Sequence, residues 1–538
     1  MKPFFRVALF FILTIVLSQC ARTGRPEGGP KDEEAPLFVT ANPAYKTTNF
    51  NKKEIKLSFN EFVKLKNLNK QLLVSPPLKN PLLVTPQSTA SKYLNLKILD
   101  TLLKNTTYII NFGNSIEDNN EGNPLESFKY IFSTGNFIDS LSIKGEVKNS
   151  FLADKPKNIN ILLYKIDSTF NDSIVFNKKP NYVTNSLDSS LFNLTNIKEG
   201  KYFLLALKEK NSDYIFNPKE DEIGFYSDTI VLPRDSVLKN NISIFKENLP
   251  YKFKRGKEIS KGKIAFGYEG KIDSLRIDVV SKTPENFKSI SKFELDKDTL
   301  NFWFTPFEAD SLNFIVSNNK TIDSVTVKLR KKKIDSLIIS SSISRTLHLR
   351  DTLFIKSTTP IVSIDTSKIK LIDKDSVTVS YTNYLSKKEN KFALIFDKKP
   401  KQKYSLKMLP ESVFDIYNQK NDTLNFSFST KEIEDYGRIT VDIENETPHQ
   451  LIIEILEGEK KKNLVEKHFV KNSKKLVFNL LEPNTYYIRA TIDVNKNNKW
   501  DTGNYLLNLQ PEKIIYYEEP LKLRANYYLD KNVLRIKN

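Results

Sequence analysis

Apolar and polar residues alternate along most of this chain. Glu54-Ile55-Lys56-Leu57-Ser58-Phe59, Thr107-Tyr108-Ile109-Ile110-Asn111-Phe112 and Leu424-Asn425-Phe426-Ser427-Phe428 are typical stretches. Period two with β-branched and aromatic residues marks strands with one buried face. Turn formers (Asn, Asp, Ser, Gly, Pro) separate the stretches at short, regular intervals, and long amphipathic helical windows are scarce. Many short strands with regular turns predict an all-β chain of tandem β-sandwiches.

Two repeats divide that chain. At an offset of 296, Tyr108 followed by Phe132-Ser133-Thr134 corresponds to Tyr404 followed by Phe428-Ser429-Thr430. At an offset of 284, Tyr202, Ala206, Asn211 and Asp213 correspond to Tyr486, Ala490, Asn495 and Asn497. The expected organisation is a leader (1–19), a stalk (20–36) and five sandwiches over 37–135, 138–246, 250–333, 336–430 and 434–538. Strung in that order, they predict a rod.

The N-terminus departs from the pattern. Lys2 and Arg6 precede an apolar run from Val7 to Leu17, too short to span a bilayer comfortably but suited to a signal peptide. The run ends Leu17-Ser18-Gln19-Cys20, and Cys20 is the sole cysteine. A single Cys excludes a disulfide framework. Its position resembles a bacterial lipobox, in which the Cys is acylated and becomes the mature N-terminus. The resemblance implies membrane attachment through lipid on Cys20; Gln19 departs from the small residue usual there. The alternative is an ordinary cleaved leader. Residues 21–36, rich in Gly, Pro and charge, read as a flexible tether.

The chain carries 83 Lys and Arg against 64 Asp and Glu, a formal charge of +19. The lysines are spread among acidic residues. The densest basic runs, Arg330–Lys333 and Lys460–Lys462, lack the interleaved aromatics of a nucleic-acid groove, so no nucleic-acid partner is expected.

Candidate chemistry is sparse. The three histidines (His348, His449, His468) stand in no ligand spacing, and no nucleophile elbow, zinc helix or phosphate loop is present. His348 and His468 read as strand residues and His449 as a turn residue. No catalytic residue is assigned, and the protein is not expected to be an enzyme. Glu61 and Asp118 could pair across a cleft, but Glu61 reads better as a structural hydrogen-bonding group. Of the two tryptophans, Trp303 and Trp500, Trp500 is expected to pack on a sandwich edge.

The sharpest pattern is Asp493-Val494-Asn495-Lys496-Asn497-Asn498-Lys499-Trp500-Asp501. Asp493, Asn495, Asn497 and Asp501, with the backbone carbonyl of Lys499, follow the spacing of a Ca²⁺ loop. Asn498 replaces the usual Gly and Asn504 the closing Glu. A metal-free Asx-rich turn is the competing reading. The matching loop, Glu209 to Asn217, keeps Glu209, Asn211, Asp213 and Asn217.

Leu57-Ser58-Phe59-Asn60-Glu61-Phe62-Val63 and the Tyr…Phe-Ser-Thr blocks resemble the SbsA-type bacterial Ig-like domain, closely over 37–135 and more weakly over 336–430. Lys144-Gly145-Glu146-Val147, Gly200-Lys201-Tyr202 and Asn484-Thr485-Tyr486 resemble the prealbumin-like, or carboxypeptidase-regulatory-like, β-sandwich. With the lipobox, the stalk, and Trp500-Asp501-Thr502-Gly503-Asn504 near the end, the chain resembles the Ig-like-domain lipoproteins of Bacteroidota. That resemblance implies a non-enzymatic outer-membrane lipoprotein, on either the periplasmic or the cell-surface face, serving as a structural or protein-interaction scaffold. The alternatives are surface glycan binding in nutrient capture and an accessory role to an envelope enzyme. The implied partners are the membrane, an envelope protein and, under the first alternative, a glycan.

Overall fold

The computed structural model describes residues 32–294, 297–458 and 463–537. Cys20, the leader, the stalk up to residue 31 and the Lys460–Lys462 run lie outside the described residues. The fold is nearly all β, with 49% of residues in strands and 3% in helix. Glu54–Leu65 shows why: Ile55, Leu57, Phe59 and Val63 point into a core while the residues between them stay at the surface.

The sheets pair into successive sandwiches. Over residues 38–133, strands Phe38–Asn42, Glu54–Leu65, Ser91–Lys97 and Leu83–Thr85 face the sheet of Leu73–Ser75, Thr107–Gly113 and Phe128–Ser133. Over 339–429, the sheet built on Leu353–Ser357 and Lys391–Ile395 faces Ile369–Asp373, Lys403–Met408 and Leu424–Ser429. The Tyr…Phe-Ser-Thr repeat does the same work in both. Tyr108 stacks on Phe132 at 5.4 Å and Tyr404 on Phe428 at 5.5 Å. Leu103 N donates to Tyr108 Oη at 2.9 Å, and Lys399 N to Tyr404 Oη at 2.8 Å. Thr134 Oγ1 donates to the Leu103 carbonyl at 2.7 Å, and Thr430 Oγ1 to the Lys399 carbonyl at 2.6 Å. One tyrosine and one threonine thus pair the backbone N–H and carbonyl of the same residue at each corner.

The second repeat shares a different topology. In one copy Leu141–Asn149 pairs antiparallel with Leu191–Ile197 and parallel with Ile242–Ile244. In the other, Gly437–Asn445 pairs antiparallel with Lys474–Leu481 and parallel with Tyr528–Ile536. The opposing sheets centre on Gly200–Lys208 and Asn484–Asp493. Tyr202 Oη donates four residues back to the Lys198 carbonyl, 2.9 Å, and Tyr486 Oη to the Glu482 carbonyl, 2.7 Å. Between the repeats, residues 252–328 form a further pair of sheets around Phe266, Phe302 and Phe314.

Neighbouring sandwiches touch in chain order. Val183 N donates to Ser75 Oγ at 3.0 Å, Lys219 pairs with Glu269 at 3.5 Å, Tyr417 Oη donates to the Gly262 carbonyl at 2.9 Å, and Arg350 pairs with Glu466 at 2.8 Å. The expected rod does not form. The last sandwich docks back on the second, so four sandwiches close into a circuit. The cause is the loop after Asn484–Asp493, whose apolar Tyr505 is buried in the second sandwich's core.

Candidate functional site: the loops after the two matching strands

Asn484–Asp493 ends in, and Gly200–Lys208 is followed directly by, a carboxylate that folds the next loop onto itself. Asp493 is fully buried; Oδ1 accepts from Asn497 N at 3.1 Å and Oδ2 from Asn498 N at 3.0 Å. Glu209 Oε2 accepts from Asp213 N at 2.8 Å and Tyr214 N at 2.9 Å. In both loops the donors lie four and five residues on. An amide at the start of the adjacent strand completes each carboxylate: Gln450 Nε2 reaches Asp493 Oδ2 at 2.9 Å, and Asn160 Nδ2 reaches Glu209 Oε1 at 2.6 Å. Lys496 and Asn498 hold left-handed backbone at φ 60° and 66°; Ser212 and Tyr214, at the same offset, do so at 54° and 63°. The two loops therefore follow one backbone path, organised by N–H donation to a single carboxylate.

The remaining residues of the Ca²⁺ pattern gather in that loop. Asn495 Nδ2 donates to Asp501 Oδ2 at 2.6 Å, Asn497 Nδ2 donates to the same oxygen, and Lys499 N donates to Asn497 Oδ1 at 3.0 Å. Glu512, which the sequence pattern did not include, closes the far side: it accepts from Val494 N at 2.8 Å and Asp501 N at 3.1 Å. Burial, then the charges of Asp501 and Asp493, pushes the Glu512 carboxyl up. Among the described residues no three or more His, Cys, Asp or Glu stand together as metal ligands.

Beyond this common turn the C-terminal loop runs on and docks. Tyr505 is 6% exposed, its ring set among Phe176, Phe203 and Phe225 of the second sandwich at 6.1, 5.9 and 5.7 Å. Its Oη donates to the Asp172 carbonyl at 2.8 Å. Thr502 Oγ1 donates to the Lys246 carbonyl at 2.7 Å and Gln510 Nε2 to the Phe225 carbonyl at 3.0 Å. Gly503 fits because a Cβ there would stand 2.6 Å from the Phe245 ring.

The second sandwich returns the contact. Phe151 reaches across to lie 4.8 Å from the ring of Trp500 and 4.3 Å from the guanidinium of Arg489. Arg489 is itself buried against Glu454 at 2.7 Å. Tyr516 Oη donates to the Phe151 carbonyl at 2.8 Å, and Trp500 Nε1 to the Glu512 carbonyl at 2.9 Å. Each sandwich thus packs against an aromatic ring of the other, Tyr505 buried and Phe151 half-buried. Neither Tyr505 nor Phe151 is marked in the sequence by a motif. The available signal was an aromatic beside Leu506 and Leu507 in an otherwise polar loop.

The other candidates are scattered. His348 sits in a turn, not the expected strand; its Nδ1 accepts from Arg350 N at 3.1 Å, and its ring meets Tyr436 at 4.7 Å. Burial, then the nearby Arg350 charge, holds its imidazole below the usual range. His468 lies on a strand beside Glu466 at 2.7 Å, and His449 in a bend. Asp118 accepts backbone N–H groups from Asn120, Glu121, Gly122 and Asn123, so it organises a turn. Glu61 is pushed up by burial and then by the Asp118 charge.

Residues 32–134 match the bacterial Ig-like domain family. No curated protein matches the chain. Among solved structures, the chain is similar to domains 1–6 of the surface-layer protein SbsC, at 10% identity over 91% of this chain and 68% of that one, TM-score 0.16. It is also similar to the Bacteroides ovatus mixed-linkage glucan utilization locus protein SGBP-B, solved with a mixed-linkage heptasaccharide. That match has 10% identity over 64% of this chain and 86% of that one, TM-score 0.17. A third likeness is to domains A168–A170 of titin, at 8% identity over 52% of this chain and 99% of that one, TM-score 0.14.

Proposed function

We propose that this protein is a non-enzymatic scaffold of the bacterial outer membrane, tethered by lipid on Cys20, that holds a partner protein of the cell envelope. The reciprocal packing of Tyr505, buried in the second sandwich, and half-buried Phe151 against Trp500 and Arg489 of the last carries the reading. A chain that only spaced two points apart would need no contact between its second and last sandwiches. Aromatic exchange fixes their relative placement, as a framework that presents several surfaces to one partner requires. The polar loops at the seams supply such surfaces, and loops on rigid sandwiches are where binding residues concentrate.

The test is chemical crosslinking in intact cells followed by affinity purification of the tagged full-length protein. The expected result is an envelope protein recovered in comparable amount with the wild type and lost with Tyr505→Ala. Recovery of no envelope protein overturns the reading.

A further inference from the structure

A cleft of about 630 Å³ lies between the first and second sandwiches, apart from the Tyr505 seam. That volume falls in the range of small-molecule sites, and domain junctions are favoured places for them. We propose that this cleft binds a neutral oligosaccharide.

Its lining is the first reason. Six asparagines and Gln71 face the cleft. A sugar hydroxyl both donates and accepts, and a side-chain amide offers both functions at once. Charge is the second. Lys66, Lys70 and Lys210 are balanced by Glu117, Asp188 and Glu209, and Lys66 is already paired with Glu117 at 3.0 Å. A balanced lining gives no net attraction for a phosphate, a polyuronate or an anionic lipid head.

Pre-organisation is the third. Asn185 Nδ2 donates to Asn160 Oδ1 at 2.7 Å, and Asn160 Nδ2 donates to Glu209 Oε1 at 2.6 Å, so one wall is a fixed hydrogen-bonded relay. Asn160 is only 8% exposed. The two walls are locked together, because Leu73 of the first sandwich is buried in the core of the second. Asn67, Asn158 and Leu187, on opposite walls, hold left-handed backbone at φ 52°, 56° and 50°. Residues kept in that region cluster at ligand clamps. Walls already in place spare a ligand the ordering cost of binding.

The experiment uses the purified full-length chain in detergent and titrates cellohexaose, xylohexaose, mannohexaose and maltohexaose by calorimetry. At least one should bind. Asn69→Trp, an exposed change that fills the cleft mouth, should weaken that hexasaccharide by about tenfold or more with melting unchanged. Asn160→Ala, which breaks the relay, should weaken it by a similar factor. Absence of heat from all four at about millimolar concentration overturns the proposal. So does full binding by Asn69→Trp, or binding of a hexauronate in preference to all four. Envelope crosslinking is independent of these titrations, so the scaffold reading and the cleft can fail separately.

Discussion

Tyr505 and Asp172 stand 333 positions apart, yet the Tyr505 hydroxyl donates to the Asp172 backbone carbonyl at 2.8 Å. The ring is the larger part of the contact. Truncating a buried aromatic costs about 3–5 kcal/mol, whereas losing one neutral hydrogen bond costs about 1 kcal/mol. Tyr505→Ala should release the last sandwich from the second, seen as a larger radius of gyration in solution scattering and new protease cleavage within 494–513. Tyr505→Phe should leave both unchanged. A compact, resistant Tyr505→Ala protein would show that the seam is held elsewhere.

Phe151 tests the same seam from the other side. It covers the Arg489 guanidinium, which is buried with Glu454, so removing it exposes a pair that had been shielded from water. Phe151→Ala should loosen the seam as Tyr505→Ala does, and the double variant should cost less than the two single changes added. Once the seam is open there is no second contact to lose. Strict additivity in melting would mean that the two rings act independently.

Strands and repeats were legible in the sequence because each depends on neighbours a few residues away. Ile55, Leu57 and Phe59 alternate visibly, and Tyr108 with Thr134 repeats as Tyr404 with Thr430 because both pairs close the same corner. The turn at Asp493 was legible as an oxygen-rich loop, but not the role of its oxygens. Whether a carboxylate meets backbone N–H groups or an ion depends on φ at Lys496 and Asn498, which the residue names leave open. His348 was misplaced on a strand because Thr-Leu-His-Leu-Arg alternates locally, while its backbone turns to bring Nδ1 onto Arg350 N. The docking of Tyr505 left only one trace, an aromatic beside two leucines in a polar loop. Its partners lie in another sandwich, and no local pattern encodes a contact over that distance.

His348 gives a pH prediction. Its Nδ1 accepts a backbone hydrogen bond that the imidazolium could not accept, and burial with Arg350 nearby holds its folded pKa below the ordinary value of about 6.5. The unfolded chain therefore takes up this proton first as pH falls. The contribution of neutral His348 is complete above about pH 6.5 and is lost as pH drops through the folded value. Asp351 and Glu482 oppose the shift but do not reverse it. Melting should fall between pH 7 and 5, roughly the His titration range, and His348→Gln should flatten that slope. An unchanged slope would assign the dependence to other groups.

The Asp493 loop separates its two readings. Asp493→Asn keeps one acceptor oxygen and turns its NH2 either on Asn497 N or on Asn498 N and the Gln450 amide, leaving at least one donor unpaired at about 1–3 kcal/mol. Melting should drop accordingly. If the loop is an Asx-rich turn, adding Ca²⁺ or a chelator to the wild type leaves melting unchanged. A rise in melting with Ca²⁺ that Asp501→Asn abolishes would instead place a cation among Asp493, Asn495, Asn497 and Asp501.

The proposed lipid on Cys20 is tested by its loss. Several acyl chains anchor a protein stably, at about 0.8 kcal/mol per buried methylene, while one chain holds only marginally. Cys20→Ala should therefore abolish incorporation of labelled palmitate and move the protein from the membrane pellet to the soluble fraction. The sandwiches should fold as before, because the described residues bury their cores without the N-terminus. Circular dichroism should show the same strand content in the variant. If Cys20→Ala remained in the membrane pellet after a high-salt wash, a protein partner rather than lipid would be holding it, and the scaffold would have to be placed by that partner.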